Sequence, residues 1–254
     1  MGGSRQPGWI RPLNNVGNPA SRVVCLPHSG GSAGSYSAWV SAMPPDVQLL
    51  AVQYPGRGDR LSQPPVGSIA EMSAAVAAEL LRFEPVPYAL FGHSLGALVA
   101  YETALTMRDS GFPPGHLFVS GSAAPGQERS GLTHLAGDEE LWTSVCELGG
   151  IDPAIAENAE MRKLLLPALR SDVRASETYR PASSAEPLPC PLRCYYSPED
   201  PLTQNADMTA WAARTTARFT TRRRPGGHFH LWLDTDELVG DILGVMPRRE
   251  TLTA

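Results

Sequence analysis

Short apolar runs alternate with helical patterns along most of this chain, and no other feature restricts the fold as much. Strand-like runs fall at Val23 to Pro27, Val47 to Tyr54, Tyr88 to Phe91, His116 to Ser120, Leu192 to Tyr196 and Arg218 to Arg222. Helical patterns lie between and after them, near Ser35 to Ala42, Ile69 to Phe83, Ala97 to Asp109, Asn205 to Ala213 and Leu231 to Leu243. Strands separated by helices of this length build βαβ units, because a parallel neighbour can be reached only by a long crossover. The expected fold is therefore α/β, a mostly parallel sheet covered by helices on both faces. At 254 residues the chain suits one domain spanning 1–254. The alternation breaks once, from about Ala124 to Pro189, where only amphipathic helical stretches appear. An insert of that length over one end of an α/β sheet is expected to act as a helical lid carrying substrate contacts.

One strand-to-helix junction carries chemistry. "YALFGHSLGALVA" (88–100) places Ser94 between Gly92 and Gly96 where a strand passes into a helix. This is the G-x-S-x-G nucleophile elbow in its required context, a turn too tight for side chains on either side of the serine. It points to an α/β-hydrolase fold. A serine hydroxyl is a weak nucleophile and needs a base and an orienting acid, which in elbow enzymes follow in the order Ser, Asp or Glu, His. "PEDPL" follows one late strand and "GHFHL" the next, so the candidates are Asp200, with Glu199 competing, and His228, with His230 competing. Asp200 is preferred because Pro201 fixes a turn behind it. His228 is preferred because His230 is read as already beginning the last helix. His93 should point away if Ser94 holds the elbow tip. The oxyanion hole should use the backbone N–H of Leu95 and one from the loop "CLPHSGGSAGSY", with Ser29 first and Gly30 next.

Composition excludes several other classes. A net charge of −5 with no basic block beyond Arg222 to Arg224 argues against a nucleic-acid partner, and those arginines read as the solvated face of a late strand. No apolar run is long enough to span a bilayer, and the amino-terminal "MGGSRQPGWIRPLNN" has no signal-peptide core, only a lead-in to a first strand near Trp9. A cytoplasmic protein is expected. Cys25, Cys146, Cys190 and Cys194 are scattered without the spacing of a zinc site, so free thiols and no metal or cofactor are expected. "GGSAGS" lacks the lysine of a phosphate-binding loop, and "RGD" at 57–59 has no extracellular setting to give it meaning.

Taken in order, "CLPHSGGSAGSY", "VQYPGRGDRL", "FGHSLGALVAYE", "LRSDVRASETYR", "PEDPLT" and "GGHFHL" resemble the discrete type II thioesterases of polyketide and nonribosomal peptide synthesis, relatives of the animal fatty-acid thioesterase II. The resemblance covers nearly the whole chain. It implies an α/β hydrolase with a mobile helical lid, a triad of Ser94, Asp200 and His228, and acyl groups on the phosphopantetheine arm of a carrier protein as substrate. It further implies an editing enzyme acting in trans as a separate protein, here expected to be a monomer. One departure is Gly58, where "PGRxDR" ordinarily carries a longer, often acidic residue. The alternatives are a small-molecule carboxylesterase or lipase using the same triad, and a non-catalytic binding protein on the same scaffold. The apolar lid residues Leu141, Trp142, Val145, Met161, Leu165 and Leu169 are expected to be divided between the core and an acyl chamber, with Arg222 to Arg224 as weak candidates for a docking rim.

Overall fold

A computed structural model describes residues 8–127, 131–182, 186–203, 205–247 and 249. The amino-terminal lead-in (1–7) and parts of the insert (128–130 and 183–185) lie outside them. Seven strands form one sheet: β1 (Ile10–Pro12), β2 (Ser21–Leu26), β3 (Val47–Val52), β4 (Tyr88–His93), β5 (His116–Ser120), β6 (Leu192–Tyr196) and β7 (Phe219–Arg223). Their order is β1-β3-β2-β4-β5-β6-β7, parallel throughout except for β1, which pairs antiparallel with β3.

The helices are α1 (Ile69–Leu80), α2 (Leu95–Asp109), α3 (Asp138–Glu147), α4 (Pro153–Ala156), α5 (Ala159–Glu177), α6 (Asn205–Thr209) and α7 (Thr235–Leu243), with a 3-10 segment at Ala33–Ala42. The central strands are buried on both faces, so their side chains divide by parity. Val24 and Leu26 of β2 join the layer with α1 and α2, whereas Val23 and Cys25 join Tyr36, Trp39 and α7 on the other side. Local signals set the helix ends: Ser68 accepts from the Glu71 N–H at the start of α1, and Asn158 accepts from Glu160 and Met161 at the start of α5.

Two expectations change. The last helix does not begin at Leu231. A short 3-10 turn covers His230–Trp232, Asp234 then takes a left-handed conformation (φ 47°) and caps α7, so the helix starts at Thr235. Arg224 is not on a solvated face: it is 4% exposed, donating to the carbonyls of Leu233 and Asp234 and pairing with Glu237. Only Arg222 and Arg223 point to solvent.

The sheet order reverses direction at β2, with β3 on one side of it and β4 on the other. In open parallel sheets, ligands bind outside the carboxyl ends of strands at such a switch point. Leu26 at the end of β2 stands opposite Gly92 near the end of β4, so the loop after β2 and the elbow after β4 are neighbours.

Candidate functional site

The elbow is shaped by close approach. A Cβ on Gly92 would lie 2.1 Å from the carbonyl oxygen of Gly96, and one on Gly96 would lie 2.0 Å from that of Leu26. Only glycine permits β4, the turn and β2 to pack this closely. Between them Ser94 adopts φ 54°, ψ −120°, a strained conformation that its neighbours hold in place: its N–H donates to Ser120 O (2.8 Å) and its carbonyl accepts from Ala97 N–H (2.9 Å). Leu95 is the first residue of α2, where backbone N–H groups have no partner within the helix and the helix dipole is positive.

Asp200 and His228 follow β6 and β7 and meet. His228 Nδ1 lies 2.9 Å from Asp200 Oδ2, and both side chains are buried. Burial alone would raise the Asp200 carboxyl, but hydrogen bonds from His228, the Leu202 N–H and the Thr203 hydroxyl hold it below the ordinary value. Glu199 turns elsewhere, accepting from Ser197 Oγ (2.5 Å) and Gly226 N–H (3.1 Å).

His93 lies beneath the turn, its Nδ1 3.0 Å from Ser120 Oγ, which in turn lies 3.2 Å from His230 Nε2. Burial, followed by the neighbouring His228, lowers the pKa of His93 well below the ordinary histidine value. Burial, followed by Arg224, lowers His230 to about 4. His28 is a packed loop residue, its ring edge-on to Phe229 and Trp232, and burial followed by His228 lowers it to about 3. The three imidazoles around His228 are therefore held neutral.

Ser29, Ser94 and His228 border one cavity of about 360 Å³. Leu98, Val145, Leu148, Val173 and Phe229 supply much of its apolar wall, with Thr133, Ser144, Ser176 and Glu177 among its polar groups. The insert thus contributes several walls of the cavity. Of the six apolar insert residues expected to divide between core and chamber, only Val145 lines it. Leu141, Trp142 and Leu169 instead form a cluster with Leu166 behind the wall, against which Leu165 and the cavity-lining Val145 and Val173 pack. Alternation of helix faces made the division predictable, but not which face would meet the sheet. Met161, near the start of α5, borders neither.

The Gly30 N–H is already engaged, donating to Asp172 Oδ2 at 2.8 Å, which leaves Ser29 as the free loop donor of the two candidates. Asp172 is itself paired with Arg57, a residue that sequence reasoning passed over within "RGD". The only available hint was an acidic residue on the otherwise apolar face of a helical stretch. Gly58, the departure from the resembled pattern, takes φ 53°, and a Cβ there would come 2.9 Å from Gln53 Nε2. Gln53 donates to Arg57 O and accepts from Ala33 N–H, so the glycine accommodates that bridge.

Comparison with known proteins identifies the family. A family model described as a thioesterase domain matches residues 21–244. Thioesterase PikA5 of Streptomyces venezuelae is 39% identical over 236 residues, covering 92% of this chain and 84% of that protein. The type II thioesterase BorB from the borrelidin biosynthetic cluster aligns with a TM-score of 0.88 at 36% identity, covering 95% of this chain and 99% of that one. The RedJ thioesterase of the prodiginine pathway in Streptomyces coelicolor aligns with a TM-score of 0.83 at 36% identity, covering 91% and 94%. A family match over most of the chain, with relatives at this identity and coverage, places the chain in the thioesterase family, on an α/β-hydrolase fold.

Proposed function

We propose that this chain is a type II, editing thioesterase that hydrolyses acyl groups from the phosphopantetheine arm of carrier proteins in polyketide or nonribosomal peptide synthesis. One observation carries the mechanism: His228, hydrogen-bonded to the buried Asp200, borders the same cavity as the strained Ser94. With Nδ1 donating to Asp200, Nε2 is the nitrogen of His228 left to accept a proton. Ser94 Oγ attacks the thioester carbonyl as His228 takes its proton, and the oxyanion is held by the N–H groups of Leu95 and Ser29. Collapse breaks the C–S bond, and the departing thiolate takes the proton from His228. Water, deprotonated by His228, then attacks the acyl-serine; the bond from the acyl carbon to Ser94 Oγ breaks, His228 returns the proton to Ser94, and the acid is released.

The insert between β5 and β6 acts as the lid, and its share of the cavity wall supports that role. A chamber of about 360 Å³ suits a thin arm whose protein stays outside. Apolar Leu202, Trp232 and Leu233 are each partly exposed near the His228 loop, where such a protein would meet the enzyme. The likeness to BorB and RedJ, both from biosynthetic pathways, supports the carrier-bound substrate.

The test is a panel of acyl groups, each presented on carrier protein, on a short thiol and as an oxygen ester. Higher kcat/KM on the carrier is expected. Equal efficiency without the carrier, together with a preference for oxygen esters, favours a carboxylesterase.

A further inference from the structure

The loop that carries Ser29 is held by a buried ion pair reaching from the insert. Asp172 of α5 is fully buried and Arg57, in the loop after β3, is 2% exposed at its side chain. Arg57 Nη1 and Nη2 meet the two carboxylate oxygens of Asp172 at 2.5 and 2.9 Å. The same carboxylate accepts from Gly30 N–H at 2.8 Å, and Arg57 Nη1 also donates to Gly31 O at 3.3 Å. The residues immediately after Ser29 are thus clamped through both an N–H and a carbonyl. Gly30 has φ 76°, and a Cβ there would stand 3.2 Å from Leu169 Cδ1, so α5 rests directly on the loop. One residue beyond Asp172, Val173 faces the cavity, with Ser176 and Glu177 after it.

Stability alone gives little reason for this pair. Taking two charges out of water offsets most of their attraction, and apolar residues of similar volume often serve a core as well or better. What an apolar pair cannot do is orient Gly30 N–H and Gly31 O. We infer that Arg57 and Asp172 are positioning residues of the oxyanion hole: seating α5 on the loop sets the Ser29 amide, so closing the acyl chamber and assembling the hole are one event. When α5 lifts, the carboxylate leaves with it, Gly30 N–H loses its acceptor and the loop is released. An open lid then leaves the thioester exposed but the hole incomplete. This inference rests on the proposed roles of Ser94 and of the Leu95 and Ser29 amides.

The test uses the full chain with Asp172→Asn and with the double substitution Arg57→Met/Asp172→Leu, which removes both charges together and spares the fold an unpaired buried one. Acyl hydrolysis, thermal midpoint and the rate of reaction with a fluorophosphonate are measured for each. In that reaction a Ser94 Oγ–P bond forms and the P–F bond breaks, the serine proton leaving with fluoride by way of His228. The phosphonyl oxygen then occupies the oxyanion hole. For a double variant with an unchanged thermal midpoint, kcat is expected to fall by roughly 10²-fold, the scale of one lost oxyanion donor, with KM little changed and phosphonylation slowed in parallel. A folded double variant with wild-type kcat and phosphonylation rate overturns the inference. If neither variant folds, hydrogen exchange on the wild type decides. Phosphonylation is expected to protect the loop at 28–31 and α5 together, and protection of the loop with α5 unchanged overturns the coupling. A wild type that takes up no phosphonate at Ser94, or a Ser94→Ala variant that still hydrolyses thioesters, defeats the underlying functional reading instead.

Discussion

His228 Nδ1 lies 2.9 Å from Asp200 Oδ2, while Glu199, one residue earlier in the chain, directs its carboxylate to Ser197 Oγ and Gly226 N–H. Two adjacent acids that sequence could separate only by preference therefore have different partners. Asp200→Asn should lower kcat by about 10⁴-fold, since the amide favours the wrong imidazole tautomer, whereas Glu199→Gln should cost far less. Steady-state rates for the two variants decide it, and the reverse order would assign the acid to Glu199.

Ser94→Ala should abolish the acyl-enzyme and reduce turnover by roughly 10³-fold or more. Mass spectrometry of enzyme quenched during turnover should show the acyl adduct on the wild type and none on the variant.

Gly96→Ala should destroy the elbow even though the change is one methyl group. Its Cβ would stand 2.0 Å from the carbonyl oxygen of Leu26, a backbone atom inside the sheet that cannot move aside cheaply. A loss above about 3 kcal/mol is expected, on the scale of other severe overpacking. Urea unfolding should show it, and a variant of wild-type stability would mean that β2 and β4 tolerate wider separation.

Acid should destabilise the protein through its buried histidines. His230 is lowered to about 4 from an ordinary 6.5, with His93, His228, Arg224 and Asp200 around it. Between those values the unfolded chain binds the proton and the folded one does not. Stability is therefore complete above pH 6.5 and falls as pH drops toward the folded value, by about 1.4 kcal/mol per unit for one such group. His28, lowered to about 3, adds in the same direction. The depressed carboxyl of Asp200 enters at lower pH, below its ordinary value of 3.8. Unfolding free energies from pH 7.5 to 4.5 should fall more shallowly for His230→Gln than for wild type. Parallel curves would show that His230 already takes up its proton in the folded state.

Acyl selectivity should respond to Val145 and Val173, which lie between the cavity and the insert cluster, and much less to Leu165, which packs against that cluster without lining the cavity. Val145→Trp or Val173→Trp should shift preference toward short acyl groups by shrinking a chamber of about 360 Å³. Leu165→Trp should leave the ranking nearly unchanged, as measured by kcat/KM across the acyl panel.

By itself, the amino-acid order determined those features whose cause is local. Runs of strand length marked six of the strands to within a few residues, five of them because burial on both faces leaves few polar side chains to blur them, whereas the edge strand β7 has no buried residue. The two glycines around Ser94 announced a turn that only close backbone packing requires, and the motif order brought Asp200 and His228 forward as the candidate acid and base, which the structure pairs with each other. The edge strand Ile10–Pro12 is too short to show a period, although the apolar lead-in near Trp9 hinted at it.

Tertiary structure alone decided what depends on distant partners. Asp172 meets Arg57 across 115 residues, and although the apolar helical face around Asp172 hints at burial, nothing near either of them in sequence names its partner. Arg224 reads as exposed until α7 packs against it, and His230 reads as helical until Asp234 turns left-handed and restarts the helix. Which face of each insert helix meets the acyl chamber follows from how α3 and α5 dock on the sheet. Helical spacing can divide residues between two faces, but it cannot name the neighbour of either face.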